Sequence, residues 1–122
     1  MITMNENTYE YINLDYMDMM SDGDNDMKKV MLDMLFDELP AEIAKMRALA
    51  DAKDWRELME VSHKMKSTLA FVGNPTMTQT NKDVESLTKA EEDLDRVPAL
   101  VGELEGLAPK AIAELKTEYD KL

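Results

Sequence analysis

Apolar side chains recur along this chain every three or four residues, the spacing that gives a helix one buried face. Leu14, Met17 and Met20 begin the series and Ser21-Asp22-Gly23 interrupts it, which predicts a short first helix over residues 13–20. Asp24 or Asn25 can cap a second helix, whose stripe runs through Met27, Val30, Met31, Met34, Leu35, Leu39, Ile43, Met46 and Leu49. That helix is long, about 26 residues. Pro40 lies inside it and has no N–H for the carbonyl one turn back, so a kink is expected there.

Asp54 followed by Glu57 has the form of a capping box and predicts the start of a third helix. Gly73 suits the left-handed position past its end, and Asn74-Pro75 supplies a cap and a first-turn proline for a fourth. So tight a turn makes helices three and four antiparallel neighbours. The fourth, over residues 75–93, carries only the thin series Met77, Val84 and Leu87 and should be the most solvated. The last opens near Pro98 and continues through Leu100, Leu104, Leu107, Ala111, Leu115 and Leu122, with a second kink expected at Pro109. These elements predict an all-α fold: an antiparallel four-helix bundle over residues 13–122 with a short extra N-terminal helix, preceded by a flexible extension over residues 1–12.

Composition agrees. A chain of 122 residues with 44% hydrophobic side chains, 4 Gly and 4 Pro can form one helical domain around an ordinary core. The 12 Met fall mostly on the apolar stripes, which favours adaptable core filling over a binding groove of the calmodulin kind. A formal charge of -12 repels phosphate backbones and anionic lipid surfaces, so neither nucleic acid nor membrane is an expected partner. The absence of Cys excludes disulfides, thiolate nucleophiles and Cys-ligated metals. No basic and apolar leader precedes Tyr9 and no apolar run is long enough to span a bilayer, so a cytoplasmic protein is expected; a monomer is expected as well.

The candidate chemistry sits on the third helix. At about 100° per residue, Leu58, Val61, Met65, Leu69 and Val72 share one sector, and His63 lies about 160° from its middle with Arg56, Met59, Lys66, Ser67 and Ala70. The only histidine of the chain should therefore face water. Lys66, one turn along, can reach an anion attached to the ring, and the small Ser67 and Ala70 leave room for another protein. An imidazole in water has a free nitrogen able to attack near neutral pH. Other constellations lack parts. Asp22, Asp24 and Asp26 alternate like calcium ligands, but Met27 stands where the loop needs Gly and Asp33 where it needs Glu, so a capped turn is the better account. Glu60-x-x-His63 is half of a di-iron ligand set, with no second histidine to complete it. No hydrolase triad or metal site is expected.

The run Ser62-His63-Lys64-Met65-Lys66-Ser67-Thr68-Leu69-Ala70-Phe71-Val72-Gly73 resembles the signature of histidine-containing phosphotransfer (HPt) domains: a histidine, a lysine three on, a small residue next, and a glycine closing the helix. Leu14-Asp15-Tyr16, the long second helix and the Lys53-Asp54-Trp55 turn are similar in order and length. Many members of that family have Gly where Ser67 stands. The resemblance implies a phosphorelay protein of a two-component system, in which His63 accepts a phosphoryl group from a receiver-domain aspartate and passes it to another receiver. It further implies that Lys66 steadies the phosphoryl oxygens, that Met59, Ser67 and Ala70 belong to the docking surface, and that Gly73 is structural. The expected partners are response-regulator receiver domains and a hybrid histidine kinase. The chain should be a carrier rather than an enzyme, without a cofactor of its own and with Mg²⁺ on the receiver. The rival is a helical adaptor that binds a partner through the same face without being phosphorylated.

Overall fold

Three of the four long helices start on a side chain that accepts from free N–H groups of the first turn, and this fixes where the chain reverses. In the computed structural model, which describes residues 9–122, the helices are α1 (Asp15–Ser21), α2 (Asn25–Asp51), α3 (Trp55–Val72), α4 (Pro75–Ala90) and α5 (Val97–Asp120), with one 3₁₀ turn (Leu94–Arg96) before α5. Asp24 accepts from the N–H groups of Asp26 and Met27, Asp54 from that of Glu57, and Asn74 from that of Met77. The Asp22–Asp26 stretch is thus a capped turn between α1 and α2. At the other end of α3, Gly73 takes φ 74° and donates its N–H to Leu69. A Cβ at Gly73 would collide with the main-chain carbonyl of Asn13, whose own N–H donates to the Val72 carbonyl. Gly73 therefore meets two demands: a left-handed backbone and a close approach by the N-terminal segment.

Short connections make α2 to α5 successively antiparallel, and each of the four packs on two others in the ring α2–α3–α4–α5. α1 lies across α2 and α3. Leu32, Leu39, Met46, Leu58, Met65, Leu69, Met77, Leu104 and Leu115 fill the interior. The stripe predicted for α3 is buried throughout. α4 buries Thr80, Asn81 and Thr88 beside Met77 and Val84, so polar side chains complete the stripe that looked thin. Its helix ends at Ala90, short of the expected residue 93. Pro40 and Pro109 are exposed, and α2 and α5 run through them without a break.

Three expectations are corrected. Met20 on α1 and Met27, Val30 and Met34 on α2 are exposed, while Lys28 and Leu32 are buried in their place. Lys28 can be buried because its ammonium reaches Asp18 at 2.6 Å and Glu118 at 2.8 Å, an ion-paired network that a count of apolar positions does not see. Among the described methionines Met17, Met46, Met65 and Met77 are in the core and Met31 packs against it, while Met19, Met20, Met27 and Met34 are exposed, so fewer of them than expected serve as core filler. Of the expected N-terminal extension, residues 1–8 lie outside the described residues, but residues 9–12 are fastened to the bundle. Ile12 is buried, Tyr9 Oη donates to Glu118 at 2.8 Å, and the Tyr11 N–H donates to Glu114 at 2.7 Å.

Candidate functional site

Amphipathic α3 turns its apolar stripe inward, so His63 projects outward, its side chain 68% exposed. One nitrogen of the ring is nevertheless committed. His63 Nδ1 lies 2.6 Å from Oε2 of Glu85 on α4, and Lys66 Nζ lies 2.8 Å from Oε1 of the same carboxylate. The carboxylate bridges the imidazole and the ammonium, one oxygen to each. Its own side chain is 15% exposed. Partial burial pushes the Glu85 carboxyl up, but the hydrogen bonds from Lys66 and His63, with their charges, outweigh that and hold it below the usual carboxylate range. Glu85 is therefore ionised near neutral pH and accepts a hydrogen bond from each neighbour. An ionised acceptor at Nδ1 favours the neutral tautomer that carries its proton on that nitrogen, which leaves the lone pair on Nε2.

A buried clamp sets the register that brings Glu85 opposite His63. Ser62, fully buried next to the histidine, donates its hydroxyl to the Asn81 side-chain oxygen (2.7 Å) or main-chain carbonyl (2.9 Å), and Asn81 Nδ2 returns a bond to the Ser62 carbonyl (2.9 Å). Asn81 stands one turn before Glu85 on α4, so the same contact that locks α3 to α4 aims the carboxylate at the ring.

The remaining predicted residues surround this centre. Met59, half-buried, lines a shallow groove of about 310 Å³ with Glu60, His63, Glu85 and Lys89. Ser67 is exposed and lines a second, more apolar groove of about 260 Å³ with Met31, Met34, Leu35, Glu38, Thr68 and Phe71. Ala70 is exposed one turn beyond Lys66. Beside the second groove, the Tyr16 ring of α1 packs against Phe71 with centroids 5.2 Å apart. Among the described residues no cluster of His, Cys, Asp and Glu could hold a metal ion, and no helix is long and apolar enough to cross a membrane.

Glu85, Ser62, Asn81 and the exposed methionines were not singled out in the sequence as site residues. For Glu85 a signal existed: in a helical hairpin turning at Gly73-Asn74, the residue opposite His63 lies about as far after the turn as His63 lies before it. For the clamp there was none, since a buried Ser–Asn pair looks in sequence like two surface residues.

The bundle thus offers one outward imidazole, its Nδ1 held by a carboxylate that also holds the neighbouring ammonium. The chain matches the family model of the Hpt domain over residues 30–122, from α2 to the end of α5, and belongs to that family. Histidine phosphotransfer in phosphorelays, in partnership with receiver domains of two-component systems, is the role that membership carries. No curated protein and no solved structure matches the chain at a significant level.

Proposed function

We propose that this chain is a phosphoryl carrier in which Nε2 of His63 accepts a phosphoryl group from the aspartate of one receiver and yields it to the aspartate of another. The observation that carries this is the Glu85 bridge, which leaves Nε2 as the ring's nucleophilic atom. In the forward step the Nε2 lone pair attacks phosphorus, the bond from phosphorus to the aspartyl oxygen breaks, and the carboxylate leaves. The reverse step runs the same atoms backward. As Nε2 gives up its electron pair the ring gains positive charge, and the Nδ1–H bond to the Glu85 carboxylate strengthens. Lys66 offers its ammonium to the phosphoryl oxygens, and Glu85 keeps that ammonium on the histidine's side of the helix.

Met59 and Ser67, in the grooves on either side of His63, and Ala70 form the surface on which the receiver sits, extended by the apolar side chains of α1 and the first half of α2. Mg²⁺ and most of the groups that activate the phosphoryl transfer belong to the receiver, so the chain is a substrate and carrier rather than an enzyme. A monomer in the cytoplasm completes the proposal, and a hybrid histidine kinase is one source of the donating receiver.

The test is incubation with a phosphorylated receiver, followed by analysis for acid-labile, alkali-stable label. The parent is expected to label and His63→Gln to remain unlabelled with the same helical circular dichroism. Label that persists in His63→Gln moves the acceptor elsewhere. Failure of every receiver from the same organism to label the parent favours the unphosphorylated adaptor.

A further inference from the structure

The exposed thioethers of the described residues are gathered on one side. Among the described residues Met19, Met20, Met27 and Met34 are 49–66% exposed, and all four lie on α1 and the first half of α2, which pack together. Met17, Met46, Met65 and Met77 are at 0%. The exposed set borders the histidine's surface: Met34 lines one groove with Phe71 and Ser67, and Ser67 is one turn from His63 on α3. Tyr16, stacked on Phe71 and itself exposed, joins Met19 and Met20 to the same patch, since they follow it by one turn of α1. Isolated apolar residues on a surface need no explanation, but several gathered on two packed helices beside the histidine's surface do. The side-chain type matters as well. The chain has no Cys, so thioethers are its only oxidisable sulfur.

We propose that Met19, Met20, Met27 and Met34 form a methionine-oxidation site, with a two-electron oxidant of the peroxide class as substrate, through which oxidation disconnects the protein from its receivers. The inference rests on the proposed phosphotransfer function and adds a mode of regulation to it. In the chemical step the thioether sulfur attacks one peroxide oxygen. An S–O bond forms, the O–O bond breaks, and the departing hydroxide takes a proton to become water. Sulfur loses two electrons and the peroxide gains them. A dithiol reductase reverses the change, releasing water and becoming a disulfide. Sulfoxide formation replaces a soft apolar contact with a strong dipole that must be stripped of water before a receiver can settle on it. The core methionines are sealed from the oxidant, so the bundle keeps its fold while its docking surface changes.

The full chain is treated with hydrogen peroxide and its methionines are mapped by mass spectrometry, with circular dichroism, receiver affinity and phosphoryl transfer followed in parallel. The four exposed methionines are expected to gain oxygen well before the four buried ones, with helicity unchanged and affinity for the receiver reduced about tenfold. Measured against its own untreated rate, the variant carrying Met19→Leu, Met20→Leu, Met27→Leu and Met34→Leu should lose no transfer after peroxide, which separates this site from oxidation of Met59 beside the histidine. A methionine sulfoxide reductase should restore the oxidised parent. Oxidised parent that binds and transfers like untreated protein overturns the inference and leaves the phosphotransfer function intact, as does a leucine variant that peroxide still inactivates. Untreated protein that takes no label from any receiver overturns that function, and the inference with it.

Discussion

Removing the Glu85 carboxylate tests whether the site depends on the state of the histidine ring or merely on its exposure. The bond from His63 Nδ1 is short, 2.6 Å, and its acceptor is an ionised, mostly covered carboxylate. Charge-assisted bonds of this kind contribute about 1.5–3 kcal/mol, and the exposure of the imidazole reduces that to about 1–2 kcal/mol. In the proposed transfer positive charge grows on the ring only as Nε2 bonds to phosphorus, so the loss falls on the transition state. Glu85→Ala should then slow transfer about 5–30-fold. Glu85→Gln keeps an acceptor for Nδ1 but not the charge, and should fall between parent and alanine variant. Stopped-time labelling from a phosphorylated receiver gives the rates. A single histidine makes the ¹⁵N spectrum unambiguous, so the tautomer can be read directly: Nδ1–H in the parent, a mixture in Glu85→Ala. An alanine variant with the parent's rate and the parent's tautomer refutes the role given to Glu85.

Lys66→Ala should slow transfer or shorten the lifetime of the phosphohistidine without changing the thermal midpoint, because its side chain lies off the core stripe; identical kinetics would reduce it to a surface charge. Gly73→Ala should cost about 2–4 kcal/mol in urea unfolding, from a left-handed backbone and the collision with the Asn13 carbonyl, and a loss below about 0.5 kcal/mol would mean the turn yields freely. Partial burial raises the Glu118 carboxyl, but hydrogen bonds from Lys28 and Tyr9 outweigh it and hold it below its ordinary value. Its stabilising contribution is therefore complete above the unfolded pKa and disappears as pH falls through the folded one. Glu118→Gln should cost about 1–2 kcal/mol at neutral pH, with the gap to the parent closing in acid; a gap independent of pH would discount the ion pair.

The elements were legible because their ends are written in local chemistry. Asp24, Asp54, Asn74-Pro75 and Gly73 act within a few residues of their own positions, and all occupy the roles their neighbours predict. Burial was legible where one apolar stripe faces one core, as in α3. It was misread in the first half of α2, where the inward side is decided by Asp18 and Glu118, acids on other helices that allow Lys28 to go inside. A residue's hydropathy cannot report partners supplied by other helices. The same long-range contacts hold residues 9–12, which carry no periodicity of their own.

The site divides along the same line. His63, Lys66, Ser67 and Ala70 share one helix, so 3.6 residues per turn suffices to bring them to one face. What makes that face chemically specific comes from α4 and is a property of the pairing between helices. The Ser62–Asn81 clamp exchanges a hydroxyl and an amide in a dry interface, where a shift of α4 by one turn would strand both groups without partners at about 1–3 kcal/mol each. That penalty fixes the register, and the register delivers Glu85 to both Nδ1 of His63 and Nζ of Lys66. The buried pair therefore connects the fold to the proposed function: it positions the carboxylate one turn further along against the imidazole, without touching the ring itself.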